Sequence, residues 1–350
     1  ESAEVSWLRG FSNGSAVTEY RVTAYPGGNV CTSETPSCIV TGLTNGRQYM
    51  FIVTAMNEVG VSDFSAPSPQ VTPATTAART SSVSVVRGDG SATVTWALVP
   101  DSLNGGAAIS GYVVKSSPEG LTCASETNSC VVTGLTNGTS YRFSVTTMNE
   151  VGESAASDPT DSVIPAGIPF APTGVRATVG NGQLTVTWDA ANNNGTAITK
   201  YSVVSNPGNK PCVTETTSCV ITGLTNKLLY TFTVVAENEL GASSPSAESV
   251  AMMPSDIPLA VKTIKGESKA AGKMLMSWGA ADGNGSSIVS YEISWAAGKT
   301  GKFTSWKSVG LTRKWTSSGW KTGKAYLFKV RATNAVGMKV SKTFLFVPTK

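Results

Sequence analysis

Histidine is absent from this 350-residue sequence, and charged residues make up only 14% of it. Without histidine the chain lacks the commonest general base, the base of a serine-type catalytic triad and the ligand of most zinc sites. No apolar run reaches the roughly 18 residues of a membrane-spanning helix, so the sequence predicts no membrane span. An initiator methionine is also missing, because the sequence begins at Glu1, and we expect a piece of a longer chain.

A long internal repeat organises the residues that are present. Tryptophans recur at intervals of 89, 92 and 90 residues, at Trp7, Trp96, Trp188 and Trp278. Each ends a run of alternating apolar and polar residues, such as QLTVTW at 183–188, and a period of two predicts a strand with one buried face. A repeat of this length is large enough to fold alone, so the sequence predicts separate domains rather than a solenoid.

A second strand pattern recurs later in each repeat. Its four versions begin with a tyrosine, alternate aromatic and apolar residues and end in Asn-x-x-Gly, starting at Tyr49, Tyr141, Tyr230 and Tyr326. A leucine stands six residues before the first three tyrosines, and Trp320 takes that place before the fourth, which predicts a core position for Trp320. Turn residues occur roughly every ten residues and no helical periodicity is found, a pattern typical of a sandwich or barrel.

Together these motifs resemble tandem fibronectin type III modules. The resemblance rests on the strand-ending tryptophans, the Leu-to-Tyr corner, the Asn-x-x-Gly exit and a further tyrosine in each repeat, at Tyr20, Tyr112, Tyr201 and Tyr291. The segment GLTNGTSY at 134–141 is similar to repeats of bacterial secreted and surface proteins. The resemblance covers essentially the whole chain and implies an all-β fold of four tandem, seven-stranded immunoglobulin-like β-sandwiches.

Proline-rich breaks set the expected module boundaries. We predict module 1 at 1–74, module 2 at 78–165, module 3 at 168–254 and module 4 at 257–350. Short proline-containing linkers are stiff, which favours an extended rod. Only six residues precede Trp7, so module 1 is expected to lack its first strand, either because the sequence is a fragment or because another chain supplies that strand.

The tripeptide Arg87-Gly88-Asp89 invites an adhesive interpretation, but its position favours a turn. Aligned on the tryptophans, Gly88-Asp89-Gly90 lies over Gly180-Asn181-Gly182, and Asp-Gly and Asn-Gly are preferred in tight turns between strands. In the adhesive modules that the chain resembles, the receptor-binding triplet lies on the loop between the last two strands instead. We therefore predict a structural turn that joins the first two strands of module 2.

The six cysteines form three pairs with identical spacing, Cys31/Cys38, Cys123/Cys130 and Cys212/Cys219. One pair in the same place in each of three modules predicts a disulfide that clamps two neighbouring strands. Reduced structural thiols are the alternative, and a metal site is disfavoured because two thiolates without histidine do not fill a zinc shell. Disulfides would place the chain in an oxidising, extracellular environment, secreted or attached to a cell surface.

Module 4 has no cysteine. Trp315 stands where Cys219 does in module 3, and Trp306 is expected on the preceding strand. The sequence therefore predicts that a cross-strand pair of Trp306 and Trp315 replaces the disulfide by packing.

Charge is divided unevenly along the chain. Residues 1–256 carry 11 Lys and Arg against 20 Asp and Glu, a net charge of −9, whereas residues 257–350 carry 16 against 3, a net charge of +13. The excess predicts contact with cell-wall polysaccharide or another anionic polymer, sugar stacking on tryptophan, or head-to-tail association with another copy or protein. A solubilising face with the tryptophans in the core is the alternative, and nucleic acid is the least favoured ligand. The candidate contact residues are Trp295, Trp306, Trp315, Lys302, Lys307 and Lys314.

No nucleophile–base pair, phosphate loop or carboxylate pair stands out, so the sequence predicts no enzyme in these residues, no cofactor and no metal. We interpret the chain as a non-catalytic extracellular spacer or adhesion rod whose basic last module contacts an anionic or glycan surface. The alternative is an accessory region of a secreted carbohydrate-active enzyme whose catalytic domain lies upstream.

Overall fold

The computed structural model describes residues 1–270 and 272–349 and consists of strands joined by turns. Within those residues there is no α-helix, and the one helical element is a 3₁₀ turn at Asp101–Leu103. The chain divides into two compact units, Glu1–Gly167 and Ile168–Lys350. Each unit contains two β-sandwiches, which confirms the predicted fold class. The finer boundaries within each unit stay a prediction.

The first unit contains the strands of modules 1 and 2. Those of module 1 are β1 (Ser2–Ser6), β2 (Glu19–Tyr25), β3 (Val30–Ser33), β4 (Ser37–Thr41), β5 (Met50–Asn57) and β6 (Gly60–Val61). Those of module 2 are β7 (Ser84–Gly88), β8 (Ser91–Thr95), β9 (Ile109–Ser117), β10 (Thr122–Ser125), β11 (Ser129–Thr133), β12 (Arg142–Asn149) and β13 (Gly152–Glu153).

The second unit contains the strands of modules 3 and 4. Those of module 3 are β14 (Thr173–Gly180), β15 (Gln183–Asp189), β16 (Ile198–Asn206), β17 (Pro211–Thr214), β18 (Ser218–Thr222), β19 (Thr231–Asn238) and β20 (Gly241–Ala242). Those of module 4 are β21 (Ile264–Ala270), β22 (Lys273–Trp278), β23 (Ile288–Ala297), β24 (Lys307–Gly310), β25 (Lys314–Ser318), β26 (Tyr326–Asn334), β27 (Met338–Val340) and β28 (Phe344–Phe346).

Each sandwich has two antiparallel sheets, and modules 2 and 3 have the same strand order. In module 2 the order is β11-β8-β7 in one sheet and β10-β9-β12-β13 in the other, and module 3 repeats it. Module 1 has β1 and β4 alone in the first sheet, so its described residues provide no counterpart of β7. In module 4 the last strand is split, because β27 and β28 both pair with β26.

In every module the repeated tryptophan packs on the tyrosine of the strand that comes next in the chain. Ring centroids lie 5.2 to 6.1 Å apart in the pairs Trp7–Tyr20, Trp96–Tyr112, Trp188–Tyr201 and Trp278–Tyr291. The rings are tilted, which is a favoured geometry for aromatic pairs. Each pair joins the hydrophobic core of its own sandwich, so the tryptophan repeat marks four separate cores.

The second repeated tyrosine closes a corner at the start of β5, β12, β19 and β26. Its hydroxyl oxygen accepts a backbone N–H five residues upstream, in the pairs Tyr49–Thr44, Tyr141–Thr136, Tyr230–Thr225 and Tyr326–Lys321. The N···O distances are 3.0 to 3.1 Å. The Leu-to-Tyr spacing in the sequence therefore marks a corner of the fold, in which the tyrosine hydroxyl accepts a hydrogen bond from a backbone N–H.

A period of three, which sequence reasoning missed, organises the segment after the Asn-x-x-Gly exit. In module 2 the N–H groups of Ser154, Ser157 and Thr160 donate to carbonyls of β12, and their hydroxyls accept the N–H groups of Thr147, Val145 and Phe143. Modules 1 and 3 repeat the arrangement with Ser62, Ser65 and Ser68 and with Ser243, Ser246 and Ser249. Side-chain hydroxyls thus replace backbone acceptors along this edge.

In each unit an asparagine side chain forms hydrogen bonds with the segment that links its two modules. In the first unit Asn149 Nδ2 donates to the carbonyls of Thr75 and Asn104, at 2.8 and 3.0 Å. In the second, Asn334 Nδ2 donates to the carbonyls of Asp256 and Gly283, both at 2.8 Å. The asparagine of the Asn-x-x-Gly exit therefore holds the chain that leads into its own module.

An ion pair adds to the junction of modules 3 and 4. Lys227 Nζ lies 2.6 Å from Asp282 Oδ2, and the Asn284 N–H donates to the other carboxylate oxygen. These donors hold the pKa of Asp282 below its usual value, with the Lys227 hydrogen bond as the largest cause.

Candidate functional site

The outer face of one sheet of module 4 carries aromatic and cationic side chains together. Along β26, Phe328 and Val330 point into the core, so Lys329 and Arg331 point outward. On β23 the residues opposite them are Ser294 and Glu292. We call the set of Phe303, Trp306, Glu292, Lys329 and Arg331 the aromatic-cationic face.

Arg331 lies over the ring of Trp306. The guanidinium carbon is 4.7 Å from the ring centroid, and Nε donates to Glu292 Oε2 in a very short contact. The side chains of Arg331 and Glu292 are 21% and 19% exposed, so their pairing is screened less than that of a fully solvated pair. The carboxylate and the indole together hold the guanidinium in place.

Phe303 and Lys329 form a second cation–π pair beside the first. Lys329 Nζ is 4.3 Å from the Phe303 centroid. Such pairs contribute about 0.5–1 kcal/mol at exposed sites. The face therefore presents two aromatic rings, each next to a positive charge.

Thr304 fastens the loop that carries Phe303 and Trp306. Its N–H donates to the Trp295 carbonyl at 2.8 Å, and its hydroxyl accepts the Trp295 N–H at 3.2 Å. Its carbonyl accepts the hydroxyl of Ser294 at 2.7 Å, and Ser294 is only 1% exposed. Three hydrogen bonds on one residue thus position the two rings against β23.

The structure separates the predicted contact residues. Lys302 lies in the loop before β24, Lys307 begins β24, and Lys314 begins β25 in the opposite sheet. Trp306 lies on the aromatic-cationic face, while Trp295 is partly buried and packs against the core. The predicted set therefore does not form one surface.

The prediction that Trp315 belongs to a ligand surface is wrong. Trp315 is 7% exposed, because it points inward from β25 opposite Met276. Trp320 is 8% exposed and packs edge-on against Tyr326, in the core position predicted for it.

The predicted pairing of Trp306 with Trp315 is also wrong. Trp315 stacks on Trp295 at a centroid distance of 4.9 Å and meets Trp320 edge-on at 6.0 Å. Trp306 instead faces Arg331, since it lies on the other side of the sheet from the core. The partner of Trp315 therefore lies on β23 and not on the strand that directly precedes β25.

Sequence reasoning missed Phe303, Glu292 and Arg331. A signal was present in YLFKVRATN at 326–334, where Lys329 and Arg331 occupy the outward positions of β26. The same positions hold uncharged residues in the other modules, namely Ile52 and Thr54, Ser144 and Thr146, and Thr233 and Val235. A comparison of outward positions between repeats would have located this face.

The three cysteine pairs form disulfides in the structure. Their Cα atoms are 6.2 Å apart in Cys31–Cys38 and Cys123–Cys130 and 6.4 Å apart in Cys212–Cys219. In each pair the two cysteines belong to strands of different sheets, such as β10 and β11. Each disulfide therefore ties the two sheets of a sandwich together.

Asp89 lies in the two-residue turn between β7 and β8, as predicted. Its Oδ1 accepts a hydrogen bond of 2.6 Å from Asn137 Nδ2, and Asn137 Oδ1 accepts the Gly90 N–H. Asn226 makes the equivalent contacts with Asn181 and Gly182 in module 3. The carboxylate of the tripeptide is thus engaged in a contact that stabilises the turn.

Residues 1–270 and 272–349 contain no group of three or more Cys, Asp or Glu side chains with the geometry to hold a metal ion. The same residues contain no helix that is long and apolar enough to cross a membrane.

Comparisons with known proteins identify similar sequences. A family model described as "Fibronectin type III domain" matches residues 1–71, 77–163 and 170–252. Exoglucanase B of Cellulomonas fimi is 29% identical over 272 residues, which are 71% of this chain and 24% of that protein. Chitinase A1 of Niallia circulans is 31% identical over 170 residues, which are 46% of this chain and 23% of that protein.

A solved structure is also similar. The crystal structure of chicken CNTN1 FN1-FN3 domains is 19% identical, with a TM-score of 0.36 over 79% of this chain and 100% of that one. The chain spans about a quarter or less of the length of the curated relatives it matches.

Proposed function

The chain belongs to the fibronectin type III family, and on that premise we propose that it is a non-catalytic extracellular spacer whose last module contacts a glycan with acidic groups. The observation that carries the proposal is the aromatic-cationic face, where Trp306 and Phe303 lie beside Arg331 and Lys329. Aromatic rings offer flat apolar surfaces to sugar rings. Arg331 is paired with Glu292, so we assign the attraction of carboxylate or sulfate groups to Lys329, whose contact on this face is an aromatic ring.

The charge of module 4 supports an acidic ligand over a neutral one. Residues 257–350 carry 16 Lys and Arg against 3 Asp and Glu. An excess of this size attracts polyanions over long distances, and salt screens the attraction. Binding through this face is therefore expected to weaken as ionic strength rises.

An extracellular location is supported by the disulfides. Three inter-sheet disulfides persist in oxidising compartments and are rare in the reducing cytosol. Secretion or attachment to a cell surface is accordingly part of the proposal.

The second candidate function is that of an accessory region of a secreted carbohydrate-active enzyme. It is favoured by the relatives named Exoglucanase B, Endoglucanase B and Chitinase A1, of which this chain matches about a quarter. In that case the modules would hold a catalytic domain, encoded upstream, near its substrate. The coding sequence before Glu1 distinguishes the two: a catalytic domain there favours the accessory region, and further repeats favour the spacer.

Affinity electrophoresis of the whole chain tests the contact itself. Gels containing polygalacturonate, an acidic polysaccharide, are compared with gels containing neutral hydroxyethyl cellulose. We expect retardation only in polygalacturonate, and we expect Trp306→Ala to weaken it about tenfold, since one stacking contact contributes about 1.4 kcal/mol.

The matched control is Phe64→Ala, which removes an exposed ring from module 1. Equal retardation of both variants would contradict the role of Trp306. Stronger retardation in the neutral gel would contradict an acidic ligand.

A further inference from the structure

The other sheet of module 4 has a distinct basic surface. Met274, Met276 and Trp315 point from this sheet into the core, so the alternate residues face outward. The exposed lysines of its three strands are Lys265, Lys269, Lys273 and Lys314. We call these four side chains the lysine face.

The strand register places two of these lysines in one row. Lys265 on β21 is opposite Ser277 on β22, and Ser277 is opposite Lys314 on β25. Neighbouring strands lie about 4.8 Å apart, so the two lysines start about 10 Å from each other across the sheet. Lys273 lies at the other end of β22, beside Ser318.

One carboxylate lies among these lysines. Glu267 is 2.5 Å from Lys269 Nζ, which lowers its pKa, and Lys265 and Lys314 act on it in the same direction. Glu267 therefore stays ionised and is paired mainly with Lys269. Within the described residues, no carboxylate lies within salt-bridge distance of Lys265, Lys273 or Lys314.

The equivalent row is neutral or compensated in the neighbouring repeats. In module 2 it consists of Ser84, Thr95 and Ser129, and the hydroxyls of Ser84 and Thr95 are 2.7 Å apart. In module 3 Arg176 stands in the place of Lys265, but it pairs with Asp189 at 3.2 Å. The fold thus forms without a lysine at either end of this row.

We propose that the lysine face binds a linear polymer whose backbone carries phosphate groups. The four lysines outnumber Glu267, the one carboxylate of these three strands, so the face has a net positive charge that complements a dense line of negative charge. Its lysines bind as point charges, as in many phosphate sites, and no outward residue of these strands is aromatic, so sugar stacking is not available here. The inference does not depend on the aromatic-cationic face, which lies on the opposite sheet.

Inorganic polyphosphate is the probe, titrated into the whole chain and followed by calorimetry. The test variant is Lys265→Ser with Lys314→Ser, which installs the residues that module 2 has at these positions, Ser84 and Ser129. The control is Lys115→Ser with Lys210→Ser, which removes the same charge from modules 2 and 3. We expect about 30-fold weaker binding for the test variant, the factor for two lysine contacts with an anionic surface.

The control is expected to bind within about twofold of the unchanged chain, because its charges lie outside the lysine face. Equal affinity of the test and control variants would overturn the proposal. Binding of poly-L-glutamate, a linear polymer of carboxylates, as tightly as polyphosphate would overturn the choice of a phosphate backbone.

A second variant distinguishes a loss of binding from a loss of folding. Lys265→Thr with Lys314→Thr introduces strand-favouring residues, and it is expected to reproduce the loss with an unchanged thermal unfolding midpoint. Polygalacturonate binding measured on the same variants is expected to change by less than about twofold, because these lysines act on the other sheet only through screened, long-range attraction. The proposal for the lysine face and the proposal for the aromatic-cationic face are therefore tested independently of each other.

Discussion

Trp295 stacks on Trp315 with ring centroids 4.9 Å apart, where modules 1 to 3 have a disulfide. Trp315 is opposite Met276, just as Cys219 is opposite Val186 in module 3. Trp295 lies on β23 and Trp315 on β25, which belong to different sheets. The stack therefore ties the two sheets of module 4 as a disulfide ties those of its neighbours.

Direct contact within this pair predicts non-additive stability losses. We expect Trp295→Ala and Trp315→Ala to show a coupling free energy of about 1 kcal/mol in a double-mutant cycle. The cycle of Trp306→Ala with Trp315→Ala is the control and is expected to be additive, because Trp306 contacts Arg331 instead. Chemical denaturation measures both cycles, and coupling only in the second would contradict the assignment.

Reduction is expected to affect the modules unequally. Each disulfide closes a loop over a sequence separation of 7 and contributes about 2.5 kcal/mol in the chain-entropy estimate. Dithiothreitol should therefore speed hydrogen exchange in β5, β12 and β19 and leave β26 unchanged. Mass spectrometry of peptides from each module measures this, and an equal acceleration in β26 would count against the tryptophan stack.

The corner tyrosines differ in their number of hydrogen bonds. Tyr141 accepts the Thr136 N–H and donates to Glu119 Oε2 at 2.8 Å, whereas Tyr230 accepts the Thr225 N–H. We expect Tyr141→Phe to cost about 2 kcal/mol and Tyr230→Phe about 1 kcal/mol. Denaturant unfolding of the two variants checks the order, and a larger loss for Tyr230→Phe would refute it.

The junction of modules 3 and 4 is expected to depend on pH. Hydrogen bonds from Lys227 and Asn284 lower the pKa of Asp282, so its contribution is present above the unfolded pKa of about 4 and is lost as pH falls through the lowered folded pKa. Hydrogen exchange at 254–259, corrected for intrinsic rates, should accelerate below about pH 4. Lys227→Met should reduce this dependence, and an unchanged pH profile in that variant would show that the pair is not its source.

The Arg-Gly-Asp tripeptide is expected to act as a turn. Asp89→Asn keeps an acceptor for Asn137, as Asn181 does for Asn226 in module 3, so stability should change by less than about 0.5 kcal/mol. Attachment of cells to the immobilised chain should be equal for both proteins. Attachment that an Arg-Gly-Asp peptide blocks and that the variant loses would establish an adhesive role.

The repeated features of the fold could be predicted from the sequence because each has a local cause. The tryptophan period predicted four separate cores, and the Asp-Gly pair predicted the turn at Asp89. The Leu-to-Tyr spacing predicted the corner before the strand that ends in Asn-x-x-Gly. Trp320 could be placed in the core because it replaces a leucine at a fixed spacing.

The contacts of module 4 could not be predicted in the same way. Whether Trp315 meets Trp295 or Trp306 depends on the register of β23 and β24, which shifts between Tyr291 and Glu292. Thr304 contacts residues of β23 that are 9 and 10 positions away, and Arg331 lies over a tryptophan on a different segment of the chain, so neither contact follows from a local pattern. The residue types at outward positions of a strand follow no pattern that the local sequence reveals. The aromatic-cationic face could therefore be identified only from the pairing of the strands in the structure.

Hydrogen–deuterium exchange of the whole chain, with and without polygalacturonate, tests the proposed glycan contact most directly. We expect slower exchange in residues 298–306, β23, β24 and β26, and no change in β21, β22 and β25. Binding that protects only modules 1 to 3, or that leaves residues 298–306 unprotected, would contradict it.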